Sequence, residues 1–361
     1  MWERSDRSRR LAPPSRRSKQ YMATRSKQAV KLIVRFLITT VLLVWAFNQI
    51  DLAQFRQALQ EAKWQFLIAV WGLTVILTWI QSVKMRLVLA RQDCTVGVGT
   101  IFGATMMTSL YSLILPGILS TGVKWYVLKR NTGKGSNVFS SMVYNQFSTV
   151  VIVTLFGLAA IMISNPAPLL MPDAKNQWLL PAVCGTVLAA VLLGILLLLN
   201  SRTGGRVIGA LKRPLKLLPE RIRRKAEEIL DQIAVFQAAG WRFHLTFVLI
   251  TIVDTLVGGV VSYILAARTA HITAPMSVFV WLCALVYVLG RIPISVANLG
   301  VREATLVGFL AVYGVEKSAA MLMSMTLFST LVFMAIIGAA YQLAWTLTAR
   351  KSAPRQDKHT P

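Results

Sequence analysis

The chain is predicted to be an all-α polytopic membrane protein. The reading is about six full spans plus two Pro/Gly-broken re-entrant hairpins (or eight spans), arranged as an inverted repeat. Three observations predict this class. The 361 residues are 55% hydrophobic and only 15% charged, with a mean hydropathy of +0.58. Windows such as "FLITTVLLVWAFNQI" and "LLPAVCGTVLAAVLLGILLLLN" belong to stretches of the ~20 apolar residues that a helix needs to cross a bilayer. The basic residues behind the net charge of +25 gather between these stretches and at the ends, where they encode topology and attract anionic headgroups. That placement argues against nucleic acid as the partner.

Residues 1–30 lack an apolar core and read as a disordered basic cytoplasmic arm, with no signal peptide. Full spans are expected at 32–50, 65–83, 138–163, 178–200, 243–267 and 318–347, within a transmembrane domain of residues 31–347. Between the first two, Leu52, Phe55 and Leu59 mark a short amphipathic helix on the outer side. Residues 201–242 form a basic cytoplasmic loop. Its "RIRRKAEEILDQIAVF" places Ile222, Ala226, Ile229, Ile233 and Phe236 on one helical face, suited to the membrane surface. Residues 348–361 form a cytoplasmic tail. Two further apolar regions, 98–128 and 276–313, are interrupted at "LPGILSTG" and at "RIPISVANLGVRE".

Charge parity decides how those two regions run. With the N-terminus inside, 201–242 stays cytoplasmic only if 98–128 enters and returns. The same logic makes 276–313 a hairpin from the opposite face, leaving both termini cytoplasmic. Cytoplasmic segments, among them 84–97 with Lys84, Arg86 and Arg91, then hold 31 of the 39 Lys and Arg. Two complete crossings per region give the same parity. Length favours hairpins, because 117–128 makes only ~18 Å of helix against a ~30 Å core.

The two interruptions resemble each other. "PGILSTGVK" and "PISVANLGVR" each join a helix-breaking proline (Pro116, Pro293) to a glycine (Gly122, Gly300) and a cation (Lys124, Arg302); Gly117 follows Pro116 directly. Inverted repeats whose broken helices meet near the midplane are the usual build of alternating-access carriers, and their freed backbone groups need protein or a wet cavity around them. Asp254 sits mid-span, and Lys124, Arg291, Arg302 and Glu303 lie at hairpin depth. Such charges are costly in hydrocarbon and need partners or water. One reading has Lys124, Arg302 and Arg291 binding an anionic headgroup, with Ser120, Thr121 and Asn298 adding hydrogen bonds. Helix N-termini after Gly122 and Gly300 would add N–H donors, and Asp254 or Glu303 would carry a coupling proton. The other reading is a structural ion-pair network, Arg302 with Glu303 and Asp254 with Lys124. Asn145 and Gln146 are read as interhelical hydrogen-bonding residues.

Nothing points to a catalytic, metal or cofactor site. Cys94, Cys184 and Cys283 lie far apart, His244, His271 and His359 have no matching acid or nucleophile, and no phosphate or dinucleotide loop occurs.

"RIPISVANLGVREA" followed by an apolar helix resembles the signature of the lysylphosphatidylglycerol synthase transmembrane-region, or flippase-like domain, family. "LPGILSTGVKWYVLKR" is similar to that family's first motif, although Ser120 and Thr121 stand where the family commonly shows Gly-Gly-Asp; Lys124 and Tyr126 match. The resemblance extends over residues 30–347. It implies a bacterial inner-membrane protein that moves, or assists in moving, a lipid: aminoacyl-phosphatidylglycerol or another anionic phospholipid, a polyprenyl-linked sugar or a hopanoid. The chain leaves no room for the soluble transferase domain that the family's synthases carry, so no enzymatic activity is expected. The alternatives are a non-transporting scaffold for a lipid or glycosyl transferase, and a small-anion secondary carrier. A scaffold predicts hairpins packed shut with no cavity around Lys124 and Arg302, a soluble anion a closed cavity reached from water, and a lipid a groove open sideways to the bilayer.

Overall fold

The computed structural model describes residues 52–113, 117–170, 176–199, 220, 224, 235–236, 239–292 and 299–351. The helices are α1 (Leu52–Gln60), α2 (Trp64–Ala90), α3 (Val98–Ser112), α4 (Gly117–Thr132), α5 (Gly135–Ser164), α6 (Leu179–Leu199), α7 (Trp241–Thr269), α8 (Met276–Leu289), α9 (Val301–Val312) and α10 (Lys317–Lys351), with a single turn at Ala167–Leu170. Among the described residues there is no strand.

Four helices are long and apolar enough to cross a membrane: α2, α5, α7 and α10 to Leu347. They cover four of the six expected spans. The 178–200 span corresponds to the apolar helix α6, and the 32–50 span lies outside the described residues, as do the arm 1–30, most of 201–242 and the end of the tail.

The two interrupted regions double back. α3 and α4 pack side by side, and α8 contacts α9. These helices have 15, 16, 14 and 12 residues, giving about 18–24 Å at 1.5 Å per residue, short of a bilayer core. The breaks in between, with Pro116, Pro293 and Asn298, lie outside the described residues.

The connections collect at two ends. At one, Lys134 Nζ donates to the Asp93 carbonyl (3.0 Å), Asn137 Nδ2 to that of Gln92 (3.3 Å), and the Arg91 guanidinium lies 5.2 Å from the Phe243 ring centre. Phe236 stacks on Tyr144 there at 4.1 Å, tying the end of the basic loop to α5. At the other, the Lys63 N–H donates to the Thr269 carbonyl (3.2 Å), and Ala62 shares a buried cluster with Ile272, Leu310 and Ala320. Each hairpin therefore starts and finishes at one end, and the two enter from opposite ends.

Small residues set the helix spacing. A Cβ at Gly338 would stand 2.1 Å from the Met106 carbonyl oxygen, so α10 and α3 touch through backbone. Gly157 faces Ala284 across α5 and α8, while Gly258 and Gly259 let α7 approach Leu77 and Cys283. Such approaches substitute in lipid for the hydrophobic drive that water provides elsewhere. α5 ends where Asn165 turns left-handed (φ 34°) before Pro166, which cannot continue a helix.

Candidate functional site

α7 is not uniform. Ile252–Val257 forms a π-helical turn that places Asp254, Thr255 and Leu256 consecutively in the interior while Val253 and Val257 stay exposed. A regular α-helix rotates 100° per residue and does not bury three neighbours so evenly. Single π-turns inside α-helices are frequent at functional sites. Gly258 and Gly259 follow, where α2 and α8 come closest.

The turn aims Asp254 at Lys84. Lys84 Nζ lies 3.0 Å from Asp254 Oδ2 and 3.3 Å from Oδ1, and donates to Thr251 Oγ1 (3.3 Å) and Thr149 Oγ1 (3.5 Å). Thr255 Oγ1 donates to Asp254 Oδ1 at 2.7 Å, and the Phe247 ring centre lies 5.5 Å from the ammonium. Both ionic side chains are almost fully buried, at 3% and 0% exposure. A pair this dry is tolerated only because each group meets its partner and further hydrogen bonds.

Two expectations are corrected here. The counter-ion of Asp254 is Lys84, not Lys124. Lys84 itself is not a loop charge, because α2 runs on to Ala90. Beyond Lys84, the buried Met85, Val88 and Leu89 carry the inward face of α2 on to its end.

Asp254 lines a cavity of about 370 Å³ between α2, α7, α8 and α10. Thr74, Thr78 and Gln81 line one wall; Thr255, Ser262, Tyr263, Tyr287, Arg291 and Thr330 line the others. Gln81, Gly290 and Arg291 are exposed and mark the mouth. Arg291 lies against the Tyr287 ring (4.5 Å) and donates to its hydroxyl (2.8 Å). Lys84 is within Coulombic reach of both Arg291 and Lys124. Of the three cations Arg291, Lys84 and Lys124, Arg291 lines the cavity and Lys84 pairs with Asp254, which also lines it. Lys124 is half-buried on α4 and has no ion-pair partner among the described residues.

Arg302 and Glu303 are placed differently. Glu303, with no exposed surface, accepts the Gly300 backbone N–H, the Ser324 hydroxyl (3.0 Å) and a charge-assisted hydrogen bond from Arg302, whose Nε donates to Ser324 (2.9 Å). This is the Arg302–Glu303 pair of the structural reading, and it locks the start of α9 onto α10. Gly300, at φ +83°, supplies the left-handed residue that the entry requires.

In the first hairpin the helix begins at Gly117, so Gly122 is not a break but an interior residue. Nothing approaches within 4 Å of where its Cβ would be, and α4 absorbs the lost propensity through its contacts with α3 and α5. Ser120 is buried and Thr121 exposed on the same helix. On α5, Asn145 Oδ1 and Gln146 Nε2 are buried without hydrogen-bond partners, so the interhelical bonds expected of those two atoms are not formed. Among the described residues no group of three or more His, Cys, Asp or Glu could hold a metal ion.

No curated protein and no solved structure matches the chain significantly. A family model does, over residues 32–338, which takes in both hairpins, the π-turn and the cavity. The chain is a member of the lysylphosphatidylglycerol synthase transmembrane-region family.

Proposed function

We propose that the protein is a lipid translocase of the bacterial inner membrane that carries an anionic headgroup through the bundle while the acyl chains stay in the bilayer. One observation carries the reading: an open cavity lined by Arg291 at its mouth and by the buried Asp254, whose counter-ion is Lys84. The family supports a lipid-related role in the membrane. The open cavity at Arg291 supports transport over a scaffold, although Lys124 and Arg302 do not line it. Its position part-way along the helices, at Gln81 and the tip of the second hairpin, suits a lipid better than a soluble anion.

In this mechanism the headgroup phosphate meets Arg291 or Lys124 first and passes Lys84, whose neutralisation by Asp254 keeps the empty site from holding bulk anions. Ser120 and Thr121 supply hydrogen bonds on the α4 side. Arg302 and Glu303 fix the second hairpin rather than contact the headgroup.

The test is movement of fluorescent anionic and zwitterionic lipids in proteoliposomes. Lys84→Ala, Lys124→Ala and Arg291→Ala are expected to lower anionic-lipid movement about tenfold or more, the scale of one charged hydrogen bond. Arg224→Ala, at an exposed helix pair, should match wild type. Equal, protein-independent movement in all variants, with folding verified, overturns the proposal.

A further inference from the structure

The two hairpins neutralise their cations differently. In the second, Arg302 meets a carboxylate and a hydroxyl: Glu303 beside it and Ser324 on α10. Lys124 is its counterpart in the first hairpin, by its place after the proline and glycine. Its neighbours in sequence are Val123 and Trp125, and it forms no ion pair among the described residues.

Lys124 belongs to the inner side of α4. It shares a helical face with Ser120, Val127 and Leu128, all buried. Leu128 packs with Met85, Leu89 and Val138, so this face meets α2 and α5, while Val127 packs with α3 residues and Trp345 of α10. No Asp or Glu occurs in α2, α3, α4, α5 or α10. The charge that does act on Lys124 is another cation, Lys84, and the carboxylate of Asp254 is already taken up by Lys84. An uncompensated charge at this depth is costly and calls for a partner.

α5 brings a donor to the same level. Val138 belongs to the Leu128 cluster and Thr149 meets Lys84; Ser141 lies between them on the same side of the helix. Ser141 is fully buried, and its hydroxyl has no hydrogen-bond partner among the described residues. Such a hydroxyl can donate to an anion. Asn145 Oδ1, one turn on and also unpartnered, is an acceptor and suits the ammonium instead. Cation and hydroxyl thus repeat the pair around Glu303, without a carboxylate.

We infer that the first hairpin binds a small monovalent inorganic anion such as chloride between Lys124 and Ser141, in the role that Glu303 plays for Arg302. The anion clamps α4 onto α2 and α5, as Glu303 clamps α9 onto α10. A lipid phosphate offers the same chemistry, but the clamp is required whether or not a lipid is bound, and Lys124 does not line the cavity. The inference stands apart from the headgroup site, which rests on Arg291 and Asp254.

The experiment is thermal unfolding of the full chain in detergent, purified in gluconate, with chloride replacing gluconate at constant ionic strength. Chloride should raise the melting temperature saturably, by mass action on the folded state. Lys124→Met should abolish the rise and Lys124→Arg should keep it. Ser141→Ala should move the half-saturating chloride concentration up about tenfold, the scale of one hydrogen bond to a charge. Ser120→Asp sets a carboxylate one turn before Lys124; it should melt higher than wild type in gluconate and gain nothing from chloride. If Lys124→Met fails to fold, the Ser141 and Ser120 variants carry the test. Dioctanoyl phosphatidic acid in gluconate tests the lipid source: a Lys124-dependent rise with that lipid, and none with chloride, makes the occupant a headgroup phosphate and overturns the inorganic anion. A wild type indifferent to both, or a chloride rise that survives in Lys124→Met, overturns the site. Neither result touches the cavity at Arg291, which lipid movement tests separately.

Discussion

Glu303 is the residue whose loss should be felt most. It answers three donors with no exposed surface, and its removal strands Arg302 in the interior. Glu303→Ala should cost about 3–5 kcal/mol, the range for breaking a buried ion pair, seen as a large fall in detergent melting temperature. Replacing both partners with Arg302→Met and Glu303→Leu should recover much of it, since an apolar pair leaves no orphaned charge. The same logic applies to Lys84 and Asp254 with a different outcome. The double variant Lys84→Met and Asp254→Asn should regain the stability lost by Lys84→Met alone, yet remain inactive in lipid movement. Recovered movement would show the pair to be structural only.

Among the elements, the contact of α10 with α3 is least able to give way. Gly338→Ala forces a Cβ against the Met106 carbonyl oxygen, and an overpacked site of this kind costs about 1–3 kcal/mol; a melting curve checks it. Gly122→Ala meets nothing and should be neutral or stabilising, by up to ~1 kcal/mol from helix propensity. Hydropathy and two proline-glycine breaks made the spans and hairpins legible in the sequence. Lys84 was not, because a cation after twenty apolar residues reads as the end of a span, and the three-dimensional partner that keeps it inside lies 170 residues away. The π-turn was equally silent: "IVDTLV" has nothing in its composition that distinguishes hydrogen bonds five residues apart from bonds four apart. Asp254 was visible as an anomaly, but its partner and the cavity it lines come from four helices that the sequence does not register against one another.

For the whole molecule, the gathering of the connections at two ends makes a labelling prediction. In a cysteine-free background, Asn131→Cys and Glu316→Cys should react with a membrane-impermeant maleimide from opposite sides of sealed vesicles, the first from the side carrying Arg91 and Lys134. Labelling of both from one side would contradict the arrangement of the hairpins. Charge parity made this arrangement legible because Lys and Arg concentrate in the connections; hairpins and pairs of short crossings share that parity. The mouth of the cavity gives the same cysteine-free background a second use. Gln81 is an exposed lining residue, so Gln81→Cys becomes a clock for the resting state: its rate of reaction with a small methanethiosulfonate measures how often the cavity stands empty, and any occupant should slow it.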